Sequence, residues 1–176
     1  MKIVVVVDVQ RDFVYDALGS AEAQNAMGDI IDRLMQVRKE DFVIFTRDTH
    51  GEHYLDTQEG KNLPVVHCVY RTPGWQIADN IDDIVPSEQR MYINKPIFGS
   101  YALIEEIADQ INMTSVDEVE LFGFCTDICV ISNALMIKSA FPEMKVKVNA
   151  ACCAGVTPAK HEAALEVMRS CQIEII

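Results

Sequence analysis

Positive charge is scarce in this chain: 15 lysines and arginines stand against 27 aspartates and glutamates, a formal net charge of −12. The deficit excludes nucleic acid and anionic membrane as partners, because both recruit proteins through positive surface that gathers phosphates. Long apolar runs are missing too. The run Ile3 to Val7 ends in Asp8, too short for a secretory core or a membrane span, so a cytoplasmic protein is expected. No stretch is repetitive or rich in Pro, Gly and Ser, which leaves no candidate linker. A length of 176 residues suits one well-cored domain, 1–176. The six cysteines, at positions 68, 125, 129, 152, 153 and 171, lack the framework spacing of a small secreted domain, and reduced thiols are the default. What remains is an acidic protein suited to small-molecule work.

Strands and helices alternate along the chain. Met1 to Asp8 is a β-branched run without polar alternation, the pattern of a central parallel strand buried on both faces. Further strands are expected at Asp41–Thr46, Arg90–Lys95, Val116–Phe122, Met144–Val148 and Gln172–Ile176. Helices are expected over Ser20–Lys39, Gln76–Ile84, Ser100–Asn112, Thr126–Ala140 and Ala159–Ser170, the last opened by Thr157-Pro158. This order predicts an α/β fold, a three-layer αβα architecture with a mainly parallel, doubly wound sheet. Right-handed crossovers would bring the C-terminal strand ends to one rim. Asp8, Asp48, Lys95 and the loop before Cys129 would then meet.

Each of these residues has a functional and a structural reading. Cys129 falls in the first turn of a helix with Thr126 and Asp127 as candidate caps. Unpaired N–H groups and the helix dipole there favour thiolate over thiol, as a nucleophile needs; the alternative is a small residue on a buried face. Asp8 is a catalytic base or a cap for the following turn. From Asp48 to Trp75 the chain reads as a long irregular excursion, a kind of segment that is usually functional. It carries three of the four histidines, His50, His53 and His67. Asp48 and His50, two apart on an extended segment, point to one face, and this donor set suits zinc, iron or manganese; the alternative is a polar loop with surface histidines. Lys95 is a solvated lysine or the counter-charge that neutralises Asp8 and lowers a nearby thiol's pKa. His161, inside the last helix, reads as a helix-surface residue.

In five places the residues resemble the isochorismatase-like cysteine hydrolases, the family that includes nicotinamidases. They are Val7-Asp8-Val9-Gln10-Arg11-Asp12-Phe13; Thr46-Arg47-Asp48-Thr49-His50; Val66-His67-Cys68-Val69 with Thr72-Pro73-Gly74-Trp75; Lys95 ahead of Phe98-Gly99-Ser100; and Gly123-Phe124-Cys125-Thr126-Asp127-Ile128-Cys129-Val130. The resemblance implies a catalytic triad of Asp8, Lys95 and Cys129, with Cys129 forming a thioester. It also implies a cis peptide at Phe124-Cys125 and an oxyanion hole from the backbone N–H groups of Cys125 and Cys129. A divalent metal ion, zinc with iron or manganese as alternatives, would sit on Asp48, His50 and His67, with His53 a candidate fourth ligand. Phe13 and Trp75 are expected in the substrate pocket or in the core.

Isochorismatases cleave a vinyl ether and do not need the cysteine, so Cys129 with Asp48, His50 and His67 points to amide hydrolysis. The substrate implied is nicotinamide or a similar small carboxamide, and the assembly a homo-oligomer. Two other readings stay open: a hydrolase of another small amide or carbamoyl compound without a working metal site, and a non-catalytic metal- or redox-responsive binding protein.

Overall fold

The computed structural model describes residues 1–176. In chain order its elements are β1 (Lys2–Val7), α1 (Arg11–Val14), α2 (Ala21–Met35), β2 (Phe42–Asp48), α3 (Gln58–Asn62), β3 (Arg90–Lys95), α4 (Tyr101–Met113), β4 (Glu118–Phe124), α5 (Ile131–Ala140), β5 (Lys145–Ala154), α6 (Pro158–Ser170) and β6 (Glu174–Ile175). The strands form one six-stranded sheet in the order β3-β2-β1-β4-β5-β6, and all five pairings are parallel. α2 packs against β4 and β5, while α4, α5 and α6 contact one another in succession, covering the sheet on both sides as the alternating pattern predicts. No helix is long and apolar enough to cross a membrane.

β1 owes its central place to its side chains. Ile3 to Val7 are fully buried and belong to a core cluster of 41 residues; a strand covered on both faces has no use for polar alternation. Strand order reverses at β1, since β2 and β3 lie on one side and β4 to β6 on the other. In open α/β sheets such a reversal leaves a crevice beyond the carboxyl ends of the strands. Gly123 lets β4 approach closely there: its φ is +129°, and a Cβ would lie 2.0 Å from the Val7 carbonyl oxygen. The ends of β1 and β4 therefore sit side by side, which brings Asp8 near the segment that follows Phe124.

Several boundaries differ from expectation, each for a local reason. α2 stops at Met35 rather than Lys39 because Asp41 accepts hydrogen bonds from the Arg38 amide and guanidinium, which turns the chain toward β2. Residues Ala78–Ile84 form 3-10 turns instead of an α-helix, with Asp79 and Asn80 left-handed at φ 50°, a conformation these two residue types tolerate. The excursion from 48 to 75 is not structureless: it holds a 3-10 turn at Tyr54–Asp56 and α3. β5 runs on to Ala154 past a register shift opposite Leu121 and Gly123.

Candidate active site

Asp8 immediately follows β1 and is fully buried. Its amide donates to the Thr46 carbonyl at 3.2 Å, and the Thr46 hydroxyl donates to Asp8 Oδ1 at 2.7 Å, so one carboxylate oxygen is fixed by β2. The other, Oδ2, lies 2.7 Å from Lys95 Nζ. Lys95 ends β3 and is 1% exposed; its ammonium also reaches Cys129 Sγ at 3.4 Å, the Ile97 carbonyl at 3.2 Å and Asp48 Oδ1 at 3.5 Å. The rim arrangement read from the sequence therefore places Asp8, Lys95 and Cys129 in one buried cluster.

The electrostatics follow from burial and these neighbours. Burial pushes the Asp8 carboxyl up, against the opposing pull of Lys95. For Lys95 burial acts downward, yet Asp8, Cys129 and Asp48 hold the ammonium well above the ordinary lysine range. Burial pushes the Cys129 thiol well up despite Lys95, and the nearby Asp8 and Asp48 carboxylates act in the same direction. The helix-start argument favours thiolate; burial acts in the opposite direction.

The turn that carries Cys129 is also not the one expected. Thr126 to Val130 form a single π-helical turn ahead of α5, and neither Thr126 nor Asp127 caps it; Cys125 stands at the cap position without a side-chain bond. Both residues instead tie the turn to the end of β5 and to α6. The buried Thr126 hydroxyl bonds His161 Nδ1 at 2.8 Å, and Asp127 Oδ1 accepts from the Val156 amide at 2.8 Å. His161 is thus an inward partner of the turn that carries Cys129, not a free surface residue. The Phe124-Cys125 bond is cis, as the resemblance implies.

Asn133, one turn beyond Cys129, was not singled out by any pattern. It is fully buried, donates to the Cys129 carbonyl at 2.8 Å and the Phe98 carbonyl at 3.0 Å, and accepts from the Ser100 amide at 3.0 Å. It thereby fixes the turn with Cys129 to the loop that follows Lys95. Asn133→Ala would strand these buried backbone groups, and a loss of about 1–3 kcal/mol in a denaturant titration is expected, with a lower turnover rate.

Beside Lys95 a second group converges. Asp48, His50, Glu59 and His67 each offer a ligand atom, and these atoms all lie within 4.8 Å of one another. Asp48 Oδ2 is 3.1 Å from His50 Nε2 and 3.4 Å from His67 Nε2. Burial would raise the Asp48 carboxyl, but the two imidazoles and Lys95 hold it well below the usual range. His67 Nδ1 lies 2.8 Å from the Val65 carbonyl, which orients Nε2 toward the cluster, the outer-shell arrangement of a metal-ligating histidine. Two imidazoles with two carboxylates match the donor chemistry of zinc, iron or manganese, so the residues fit a divalent cation.

His53 does not join them: its side chain is 92% exposed and its one charged neighbour is Asp56, 4.0 Å away. The carboxylate that converges there instead is Glu59, on α3, whose helix starts at a Thr57 side-chain cap. The sequence signal for Glu59 was that cap, hidden inside a segment read as loop.

A cavity of about 670 Å³ opens over both groups, with Cys129, Asp48, Glu59 and His67 in its wall. Phe13 lines it and packs edge-on against His67 at 5.6 Å. Trp75 does not. Its indole N–H donates to Thr49 Oγ1 at 2.8 Å and its ring stacks under the Arg47 guanidinium at 4.1 Å and beside Tyr70. Trp75 therefore holds β2 in place rather than lining the pocket.

A doubly wound parallel sheet with a buried cysteine, lysine and aspartate at its switch point, next to four convergent metal donors, defines a class of α/β protein built for chemistry on a small molecule. The chain belongs to the isochorismatase family: the family model described as Isochorismatase domain matches residues 2–176. A nicotinamidase/pyrazinamidase of Mycobacterium tuberculosis is 27% identical over 187 aligned residues, covering 100% of this chain and 98% of that protein. The crystal structure of pyrazinamidase of Pyrococcus horikoshii in complex with zinc superposes with a TM-score of 0.84 at 25% identity, over 99% of this chain and 98% of that one. An N-carbamoylsarcosine amidase from Thermoplasma acidophilum shares the fold, with a TM-score of 0.76 at 21% identity over 99% of this chain and 94% of that one.

Proposed function

We propose that this chain is an amidohydrolase of the nicotinamidase type, using Cys129 as nucleophile to convert nicotinamide or a similar small carboxamide to the acid and ammonia. The observation that carries this reading is the buried contact of Cys129 Sγ with Lys95 Nζ at 3.4 Å and of Lys95 Nζ with Asp8 Oδ2 at 2.7 Å. The family and the nicotinamidase/pyrazinamidase relative support it.

In this mechanism Asp8 accepts the thiol proton as Cys129 Sγ bonds to the amide carbon. Lys95 balances the charge left on the carboxylate and sulfur. Backbone N–H groups of Cys125 and Cys129 stabilise the carbonyl oxygen as it becomes an oxyanion. Asp8 then returns its proton to the departing nitrogen, the C–N bond breaks, and ammonia leaves a thioester. Asp8 next takes a proton from water, whose oxygen attacks the thioester carbon; the C–S bond breaks, the acid forms, and the proton goes back to sulfur.

Asp48, His50, Glu59 and His67 would hold a divalent cation, most simply zinc, which supplies a Lewis-acid contact for a ring nitrogen and so orients the carboxamide toward Cys129. Dialysis against a chelator is expected to lower nicotinamide turnover, and added zinc, iron or manganese to restore it. Glu59→Gln and His67→Ala should both reduce bound metal by elemental analysis, whereas His53→Ala should not. Metal content unchanged in the first two would overturn the ligand set. Cytoplasmic location and a homo-oligomeric state belong to the same reading, and light scattering on the purified protein tests the second.

The experiment that tests the function is ammonia release from nicotinamide, with metal content measured on the same sample. Turnover with about one metal per chain supports the whole proposal. Metal without turnover moves the search to other amides, and neither moves it to the metal-free branch.

A further inference from the structure

Two buried polar side chains just beyond Asp8 take no part in the proposed chemistry. Gln10 is fully buried and Asp12 is 8% exposed. β1 leaves the sheet at Asp8, whose φ is 50°, and the Asp8 amide still bonds the Thr46 carbonyl of β2. Past that point the Gln10 carboxamide takes over the pairing. Its Oε1 accepts from the Asp48 amide at 2.7 Å, and its Nε2 donates to the Asp48 carbonyl and the Trp75 carbonyl, each at 2.9 Å. One side chain thus holds the backbone of Asp48 on both of its polar groups.

Asp12 acts in the same way on the segments that carry the two imidazoles. Its Oδ2 accepts from the Cys68 amide at 2.7 Å. Cys68 follows His67, is fully buried and is left-handed at φ 46°, a conformation uncommon for a residue with a Cβ and kept only where its surroundings enforce it. The Cys68 carbonyl in turn accepts from the His50 amide at 2.9 Å. Through Cys68, Asp12 therefore reaches both histidine segments. The turn at Gly74 closes on the carboxylate, where an added Cβ would overlap it, so Asp12 has little room to turn away.

We propose that Gln10 and Asp12 are positioning residues for the divalent cation, holding Asp48, His50 and His67 in register with Asp8 from a single turn of chain. Neither is among the converging ligand atoms. Their effect is on how well the donors are arranged before the cation arrives, and partners of this kind typically change metal affinity by about 10- to 100-fold. The proposal rests on reading Asp48, His50, Glu59 and His67 as a metal site; it does not depend on which amide is hydrolysed.

The test uses cobalt(II) and zinc alone as probes. Affinity of the metal-free protein is measured by competition with a chromophoric chelator, and the visible spectrum of the cobalt-loaded protein reports the geometry of the site. Gln10→Met keeps the volume and removes the polar contacts. Asp12→Ala removes the acceptor, whereas Asp12→Asn keeps one for the Cys68 amide. Affinity should fall about 10- to 100-fold in Gln10→Met and in Asp12→Ala, with an altered cobalt spectrum. Asp12→Asn should recover most of the loss and the wild-type spectrum. If Gln10→Met does not fold, Gln10→Glu takes its place: it keeps an acceptor for the Asp48 amide, loses the donor to the Asp48 carbonyl, and should also weaken binding.

A role in stability alone would lower Tm while leaving affinity and spectrum of the folded variants unchanged, and that result overturns the proposal. Equal loss in Asp12→Ala and Asp12→Asn would overturn the part assigned to the Cys68 bond. Binding of neither metal by the wild-type protein would overturn the metal-site reading and the proposal with it, whereas wild-type binding matched by every variant overturns the proposal alone.

Discussion

Cys129→Ala is expected to lower ammonia release by about 10⁴-fold or more, because under the proposed mechanism it removes the atom that forms the covalent intermediate and leaves only binding and the proposed oxyanion donors. Metal content should not change, since Cys129 is not among the converging donors. The fold should also survive: alanine is accommodated in the turn, and the Asn133 bond goes to the Cys129 backbone carbonyl, not to its side chain. The pH profile gives a second readout. Asp8 must be a carboxylate to accept the thiol proton, and burial raises its pKa while Lys95 opposes the rise. Activity is therefore lost as pH falls through a pKa above the ordinary carboxylate value of about 4. A kcat/KM profile whose acid limb lies at the unperturbed carboxylate value would contradict Asp8 as the base. So would survival of turnover in Cys129→Ala.

Much of this site was legible because the residues that build it end strands, and strand ends can be read from apolar runs. Ile3 to Val7 announce a buried central strand, and the residue that follows is Asp8; the same logic finds Asp48 and Lys95. The turn after β4 was harder. Its position follows from Gly123, but its π-helical form depends on tertiary bonds: Thr126 to His161, 35 residues away, and Asp127 to Val156, 29 away. No local propensity encodes such partners, so the hydroxyl and the carboxylate looked like ordinary caps. Glu59 was missed for a related reason. Histidine spacing draws attention to His53, whereas the short helix capped by Thr57 turns Glu59 inward and leaves His53 in solvent. Trp75 stayed open between pocket and core because an aromatic near a site motif says nothing about which way it packs; here Arg47 and Tyr70 hold it away from the cavity. The opposing effect of burial on the Cys129 thiol was not legible, because helix-start electrostatics are local while burial is a property of the assembled sheet.

Lys95→Met should both abolish turnover and destabilise the protein by about 3–5 kcal/mol, the cost of leaving a buried charge without its partner. For a chain of this size that is a fall in Tm of roughly 6–20 °C. The cause is specific: the side chains of Lys95 and Asp8 are both 0% exposed, and Asp48 loses a neighbour at 3.5 Å. Methionine fills similar volume, so the loss comes from charge rather than from a cavity. Two further measurements isolate that cause. Asp8→Asn in the same protein removes the stranded carboxylate, and the double variant should be more stable than Lys95→Met alone, a coupling that distant sites do not show. Without Lys95, the folded-state pKa of Asp8 lies still further above its unfolded value. Stability in the variant is then highest toward the unfolded carboxylate pKa and is lost as pH rises through the folded one. The deficit against the wild-type protein should accordingly shrink as pH is lowered from 8 toward 5, in denaturant titrations at each pH. A deficit independent of pH, and no recovery in the double variant, would mean that Lys95 fills space at the rim of the sheet without acting as the counter-ion on which the proposed chemistry depends.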